Sequence, residues 1–186
     1  MPQFRPLALD GVIEVVPDRH GDDRGFFSEV YNEKLYKANG VDADFIQDNQ
    51  SFSGSAGVLR GLHFQTPPHA QAKLVRVTRG AVFDVAIDIR KGSPDFGKWV
   101  GLELSAEKWN QLYVPAGFAH GFLTLTPDTE FLYKVSGYYS PEHDRSVCFD
   151  DPAIGIEWPI DPKEAILSDK DRQAGLLADT DTVFTF

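Results

Sequence analysis

The chain has 186 residues, 42% hydrophobic and 25% charged, enough for a globular protein with a sizeable core. Its 28 acidic residues outnumber 18 basic ones for a net charge of −10. That excludes the broad basic face needed for nonspecific nucleic-acid binding, but leaves room for a phosphorylated ligand held by a few local cations. The lone cysteine, Cys148, can form no intrachain disulfide, no apolar run approaches the ~20 residues of a membrane span, and the first ten residues carry no basic-then-apolar leader. The expected setting is therefore cytoplasmic, without membrane association.

In chain order, residues 12–16 read as a strand ended by Pro17, and 25–31 as another after a turn-rich stretch at 18–23. Asn32 is placed to cap a short helix that runs through Asn39 and stops at Gly40. Residues 45–52 read as a strand and 53–57 as a loop, followed by a strand-like segment, Gly57-Val-Leu-Arg-Gly-Leu-His-Phe-Gln65, and a loop to His69. Residues 72–78 and 81–89 predict a hairpin turning at Arg79-Gly80. In its second arm Phe83, Val85, Ile87 and Ile89 alternate with Val82, Asp84, Ala86 and Asp88, the period of a half-buried strand. Further strands fit 99–104, 111–114, 121–125 and 130–135. So many short strands, punctuated by 16 glycines and 12 prolines, predict a mainly β sandwich or barrel. Residues 150–186, with nine acidic and three basic residues, predict short helices wrapped on the barrel, their charges mostly solvated. No repeat or linker interrupts the chain, so one domain over 1–186 is expected.

The segment around His63 carries the most chemistry. A histidine can take a proton near neutral pH and an arginine three residues earlier, Arg60, can hold a phosphate. In a regular strand these two side chains would face opposite sides, so a bend or bulge is required if both reach one site. Pro115-Ala-Gly-Phe-Ala-His120 supplies a second histidine at the mouth of another strand. A metal site of the cupin kind would add a second histidine two positions after His63 and then a glutamate. Gln65 stands at that position and no glutamate lies between His63 and Arg90, so no metal is expected.

Without a metal, His63 can act as a general base if a carboxylate holds its far ring nitrogen, and Asp48, Asp84 and Asp171 are all candidates. Lys73, taken alone an edge lysine, could stabilise a developing enolate oxygen. Tyr133, taken alone a core tyrosine, becomes a candidate acid opposite a base. Arg24, Arg60 and Lys170 are the phosphate candidates, and Phe26 and Tyr139 could sandwich a nucleobase.

Taken together, Arg24-Gly-Phe-Phe27, Gln47-Asp-Asn49, Leu59-Arg-Gly-Leu-His-Phe-Gln65, Lys73-Leu-Val-Arg76, Val85-Ala-Ile-Asp-Ile-Arg90, Pro115-Ala-Gly-Phe-Ala-His-Gly-Phe122, Glu130-Phe-Leu-Tyr-Lys134, Gly155-Ile-Glu-Trp158 and Leu167-Ser-Asp-Lys-Asp171 resemble the dTDP-4-dehydrorhamnose 3,5-epimerase family nearly end to end. The resemblance implies a cupin-type jelly roll with a few short helices, mostly near the C-terminus. It also implies a cofactor-free homodimer that converts a dTDP-4-keto-6-deoxy sugar for L-rhamnose synthesis. By matching positions, His63 would be the base with Asp171 as partner, Tyr133 the acid, and Lys73 the enolate stabiliser, with His120 near the sugar. Arg24, Arg60 and Lys170 would hold the pyrophosphate. Glu29, Gln47 and Asn49 would bind the nucleotide, and Phe26 and Tyr139 would stack on thymine. Where the family often has a glutamate ligand, this chain has the shorter Asp144.

Rival expectations are an epimerase acting at one carbon, a 3,4-ketoisomerase, a metal-dependent oxygenase, and a noncatalytic sugar-nucleotide binding protein. The last would not need His63, Tyr133 and Asp171 together.

Overall fold

The computed structural model describes residues 1–186. Its strands are β1 (Gln3–Pro6), β2 (Ile13–Val16), β3 (His20–Asp22), β4 (Gly25–Phe27), β5 (Gln47–Ser53), β6 (Leu59–Gln65), β7 (Lys73–Arg79), β8 (Ala81–Asp88), β9 (Trp99–Ser105), β10 (Gln111–Val114), β11 (Phe118–Thr124), β12 (Thr129–Val135) and β13 (Asp144–Ser146). Two short α-helices, α1 (Glu33–Lys37) and α2 (Asp169–Arg172), and two single 3-10 turns complete the regular structure. One antiparallel sheet runs β1-β2-β10-β7-β12-β5 and a second β13-β6-β11-β8-β9, while β3 and β4 pair only with each other. The result is a two-sheet sandwich, the open form of the expected jelly-roll class, with the helices near the C-terminus as expected apart from α1.

Three apolar layers hold it. Between the sheets, Val75, Val77, Leu112 and Phe131 from the first meet Val82, Ala86, Leu104 and Phe122 from the second. Outside the first sheet, α1 and the segment after it place Tyr36, Val41 and Ala43 on Ile13, Val15 and Leu74. Asn32 caps α1 as expected, its Oδ1 accepting from Leu35 N at 3.1 Å. Outside the second sheet, the C-terminal segment lays Phe149, Ile154, Trp158 and Leu177 on Leu59, Val85, Ile87 and Ile89.

This third layer corrects the reading of β8 as half-buried. Both of its faces are covered, and Asp84 and Asp88 are both fully buried. Alternation alone cannot reveal that the face carrying Asp84 and Asp88 turns inward between the sheets while a later segment covers the apolar one. Nor do β7 and β8 form a hairpin: they lie in different sheets, each flanked by two other strands. Val77 and Val82 belong to the same core cluster between the sheets, each from its own sheet. The turn itself is real. A Cβ on Gly80, at φ +79°, would come within 2.6 Å of both Thr126 Oγ1 and Thr129 Oγ1, so the chain turns the corner between sheets only with glycine there. The strand expected over 25–31 ends at Phe27, and its partner β3 falls in the stretch read as turns. Two edge strands, β1 and β13, had no sequence-based counterpart.

Candidate active site

Of the bend or bulge that the Arg60–His63 spacing requires, the structure has the bulge. His63 stands opposite His120 and Arg60 opposite Phe122, so Gly61 and Leu62 on β6 face Gly121 alone on β11. Glycine makes that crossing fit. A Cβ on Gly61, at φ +128°, would lie 2.6 Å from Gly121 Cα, and one on Gly121 would lie 2.9 Å from Arg60 O. The extra residue re-aims Arg60, so Arg60 and His63 line the same cavity.

That cavity, about 430 Å³, lies between the sheets. Arg60, His63 and His120 come from the second sheet and Lys73 and Tyr133 from the first, with Ser168 and Asp171 at the α2 end. Its apolar lining includes Val58, Ile166, Leu167 and the stacked rings of Phe122 and Phe131, 4.0 Å apart. A second pocket of about 260 Å³ shares His63, Lys73 and Tyr133 and adds Gln47, Asn49, Tyr139, Asp144 and Lys170. The shared walls make one cleft of the two. Asp144, despite its shorter side chain, reaches both neighbours: Tyr139 Oη donates to its Oδ2 at 3.2 Å, and Lys170 Nζ donates to the same oxygen.

Of the three carboxylates open as partners of His63, the structure selects Asp171, whose Oδ1 lies 2.5 Å from His63 Nε2. Asp48 pairs with Lys134 and Asp84 with His120. Asp171 arrives because the strap carrying α2 is pinned on both sides. Val58 bridges Ile166 before the helix, and Val147 bridges Gly175 after it. The sequence reading missed Ser168. Its Oγ accepts from Asp171 N–H at 3.2 Å and donates to Asp171 Oδ2 at 2.8 Å. The Ser-Asp-Lys-Asp spacing is that of a helix-capping box and could have signalled it.

The two His–Asp pairs differ in electrostatics. Burial raises the Asp171 carboxyl, but hydrogen bonds from His63 and Ser168 outweigh it and hold the group below the ordinary carboxylate range. Asp84 is also buried and is only partly compensated by His120 and Lys73, so it is pushed up. Its Oδ2 has no hydrogen-bond partner. Lys73 spans the cleft, donating to His63 O at 3.3 Å. Removal from water pushes its ammonium down to about 8, against the pull of Asp144 and Asp84. Burial raises the Tyr133 phenol, partly offset by Arg60, so it keeps its proton at neutral pH.

Three expected site residues do not line the cleft. Arg24 pairs with Asp22, Phe26 packs edge-on against Trp109 at 4.9 Å, and Glu29 accepts from Asn32 Nδ2 at 3.1 Å. The proposed sandwich of Phe26 and Tyr139 therefore does not form within one chain. Gln65, at the position a second metal histidine would occupy, is committed to the loops, donating to His69 O and Tyr138 O and accepting from Ser140 N. No group of three or more His, Cys, Asp or Glu is arranged to hold a metal ion.

Comparison with known proteins gives the family. A family model described as dTDP-4-dehydrorhamnose 3,5-epimerase matches residues 6–179. The dTDP-4-dehydrorhamnose 3,5-epimerase of Sinorhizobium fredii is 52% identical over 183 residues, covering 98% of this chain and 93% of that one. The crystal structure of dTDP-6-deoxy-D-glucose-3,5-epimerase from Legionella pneumophila, in complex with dTDP-4-keto-L-rhamnose, superposes with a TM-score of 0.94 at 43% identity, covering 100% of this chain and 99% of that one. A 3'-monoepimerase from Streptomyces bikiniensis, in complex with dTDP-quinovose, superposes at 0.86 with 39% identity, covering 94% and 87%. By a family match over most of its length and a relative identical at half its positions, the chain belongs to the dTDP-4-dehydrorhamnose 3,5-epimerase family of isomerases.

Proposed function

We propose that the chain, acting as one domain, inverts carbons 3 and 5 of a dTDP-linked 4-keto-6-deoxy sugar by proton transfer. The observation that carries this reading is that His63 and Tyr133 line one cleft from opposite sheets, with Lys73 lining the same cleft. The ring nitrogen of His63 not held by Asp171 takes the proton from the carbon beside the ketone. The C–H electron pair moves into the adjacent carbon–carbon bond and the carbonyl electrons onto oxygen, where Lys73 stabilises the enolate. The enolate then collapses, and the carbon takes the Tyr133 proton from the other face, inverting the centre. This leaves an imidazolium and a phenolate that solvent restores. Repetition at the second carbon completes the D-xylo to L-lyxo change, and no step needs a metal or redox cofactor. Arg60 and Lys170 are well sited for the diphosphate, His120 for the sugar, and Gln47, Asn49, Tyr139 and Asp144 for the nucleotide end.

The displaced residues support a further part of the proposal. Arg24, Phe26 and Glu29 sit on or just after a hairpin whose Phe26 and Phe27 are exposed, and nothing in the same chain brings them to the cleft. We infer a homodimer in which each hairpin completes the nucleotide end of the other's site. Mixing Arg24→Ala with His63→Ala protomers tests it: activity returns in the mixture only if sites are shared between chains. The location we propose is cytoplasmic, where a nucleoside-diphosphate sugar is at hand; the chain has no helix long and apolar enough to cross a membrane.

The decisive experiment incubates the protein with dTDP-4-keto-6-deoxy-D-glucose in D₂O and follows both ring positions by NMR. Deuterium at carbons 3 and 5 with the L-lyxo product supports the double epimerase. Exchange and inversion at carbon 3 alone would replace it by a single-position enzyme. Binding without exchange would remove the roles given to His63 and Tyr133.

A further inference from the structure

One hydroxyl makes two bonds to one residue where the strap enters α2. Ser168 Oγ accepts from the Asp171 backbone N–H and donates to Asp171 Oδ2, while the other carboxylate oxygen meets His63. Asp171 is 3% exposed, so water cannot substitute for either partner. Its backbone and its far oxygen are thus tied to the same atom, and the near oxygen has only one direction left to point. The neighbouring pair has no such third member, since Asp84 Oδ2 is buried without a partner.

We propose that Ser168 is a positioning residue for the general base, holding Asp171 in the one rotamer that keeps His63 aligned and in the reactive tautomer. This rests on the reading of His63 as the base. A carboxylate free to turn in the cleft would hold the imidazole only part of the time, and partners one step removed from the reacting group typically matter by about 10–100-fold. The hydroxyl also helps keep Asp171 ionised, so it supports the partner's charge as well as its direction. Because Ser168 also lines the cavity, direct contact with the sugar is the alternative role to be separated.

Steady-state kinetics of Ser168→Gly separates them, because glycine is tolerated at a helix N-cap but brings no hydroxyl. The expected result is a loss of about tenfold in kcat with KM within about twofold, and recovery to within about twofold of wild type in Ser168→Thr. In an Asp171→Asn background the Ser168→Gly change is expected to add nothing, because a residue acting through Asp171 has nothing left to position. A rise in KM with kcat unchanged would make Ser168 a substrate contact and overturn the proposal. The same tenfold loss in both backgrounds would overturn it too. If Ser168→Gly does not fold, Ser168→Ala must show the same split and the same non-additivity. Near-wild-type kcat in the truncated variant, with His63→Ala inactive, sinks this inference alone. Full activity in His63→Ala instead removes the base reading beneath it.

Discussion

Two histidines face each other across the same strand pair, His63 on β6 and His120 on β11, and each has its own buried aspartate. They are nevertheless unequal. His63 is 30% exposed to the cleft and its aspartate has both oxygens bonded, whereas His120 is 7% exposed and its aspartate leaves one oxygen empty. The Asp171 carboxyl is held down and the Asp84 carboxyl pushed up. A pair whose carboxylate stays ionised can stabilise the imidazolium that forms when the ring takes a proton. A pair whose carboxylate resists ionisation suits a hydrogen-bonding role. The comparison teaches that a His–Asp contact does not by itself set the charge of the pair; the surroundings of the aspartate's second oxygen help decide it.

The largest expected effect breaks the symmetry directly. Asp171→Asn should cost roughly a thousandfold or more in kcat, by analogy with the orienting aspartate of a catalytic triad. Asp84→Asn should cost less than about tenfold, the worth of one ordinary hydrogen bond. Comparable losses in the two variants, measured side by side, would erase the distinction.

In the proposed mechanism Lys73 stabilises the enolate, so Lys73→Ala should lose over about a hundredfold in turnover, one oxyanion donor being worth ~3 kcal/mol. A loss under about threefold would refute that role. The bulge that brings Arg60 and His63 into one cavity should be nearly as sensitive. Gly61→Ala sets a Cβ against Gly121 backbone at a positive φ, with an expected loss of about 2–3 kcal/mol in urea unfolding. An unchanged midpoint would show that β6 can realign without the glycine.

The pH profile sharpens the comparison further. Lys73, pushed down to about 8, is cationic below that pH and neutral above it, so kcat/KM should fall as pH rises through about 8. Lys73→Arg should move that alkaline limb upward, and a limb that stays in place would assign it to another group. The smallest effect is on stability. Because the Asp171 pKa is lowered on folding, its ionisation stabilises the fold above the unfolded value of ~3.9, and this is lost as pH falls through the lower folded value. Asp84 has the opposite sign: its raised pKa imposes a penalty that is absent below the unfolded value and grows as pH rises through the folded one. Urea unfolding across acid pH should therefore move Asp171→Asn and Asp84→Asn in opposite directions relative to wild type. Parallel curves would contradict the assigned shifts.

Much of the site could be read from residue types and spacing. His63, Lys73, His120 and Tyr133 do meet in one cavity, and the need for a bend or bulge followed from an odd spacing alone. Strands such as Gln111–Val114 matched their expected bounds because strand-favouring residues and flanking turns are local signals. The β7–β8 hairpin failed for the complementary reason: a tight turn at Gly80 reports that the chain reverses, while the sheet each arm joins depends on strands far along the chain. Residue types and spacing left the partner of His63 open among three carboxylates, because 108 residues separate it from Asp171, and only the family resemblance pointed to Asp171.

By itself, then, the sequence determined the strand-rich class, the turn positions, the short helix capped by Asn32 and the chemical repertoire of the site, all of which depend on residues near one another in the chain. Only the tertiary structure decided which aspartate serves which histidine, that Ser168 holds one of them, that both faces of β8 are buried, and that Arg24, Phe26 and Glu29 lie away from the cleft. The physical reason is that pairing, burial and the pKa shifts that follow from them are properties of surroundings assembled from distant segments, and no local pattern encodes those surroundings.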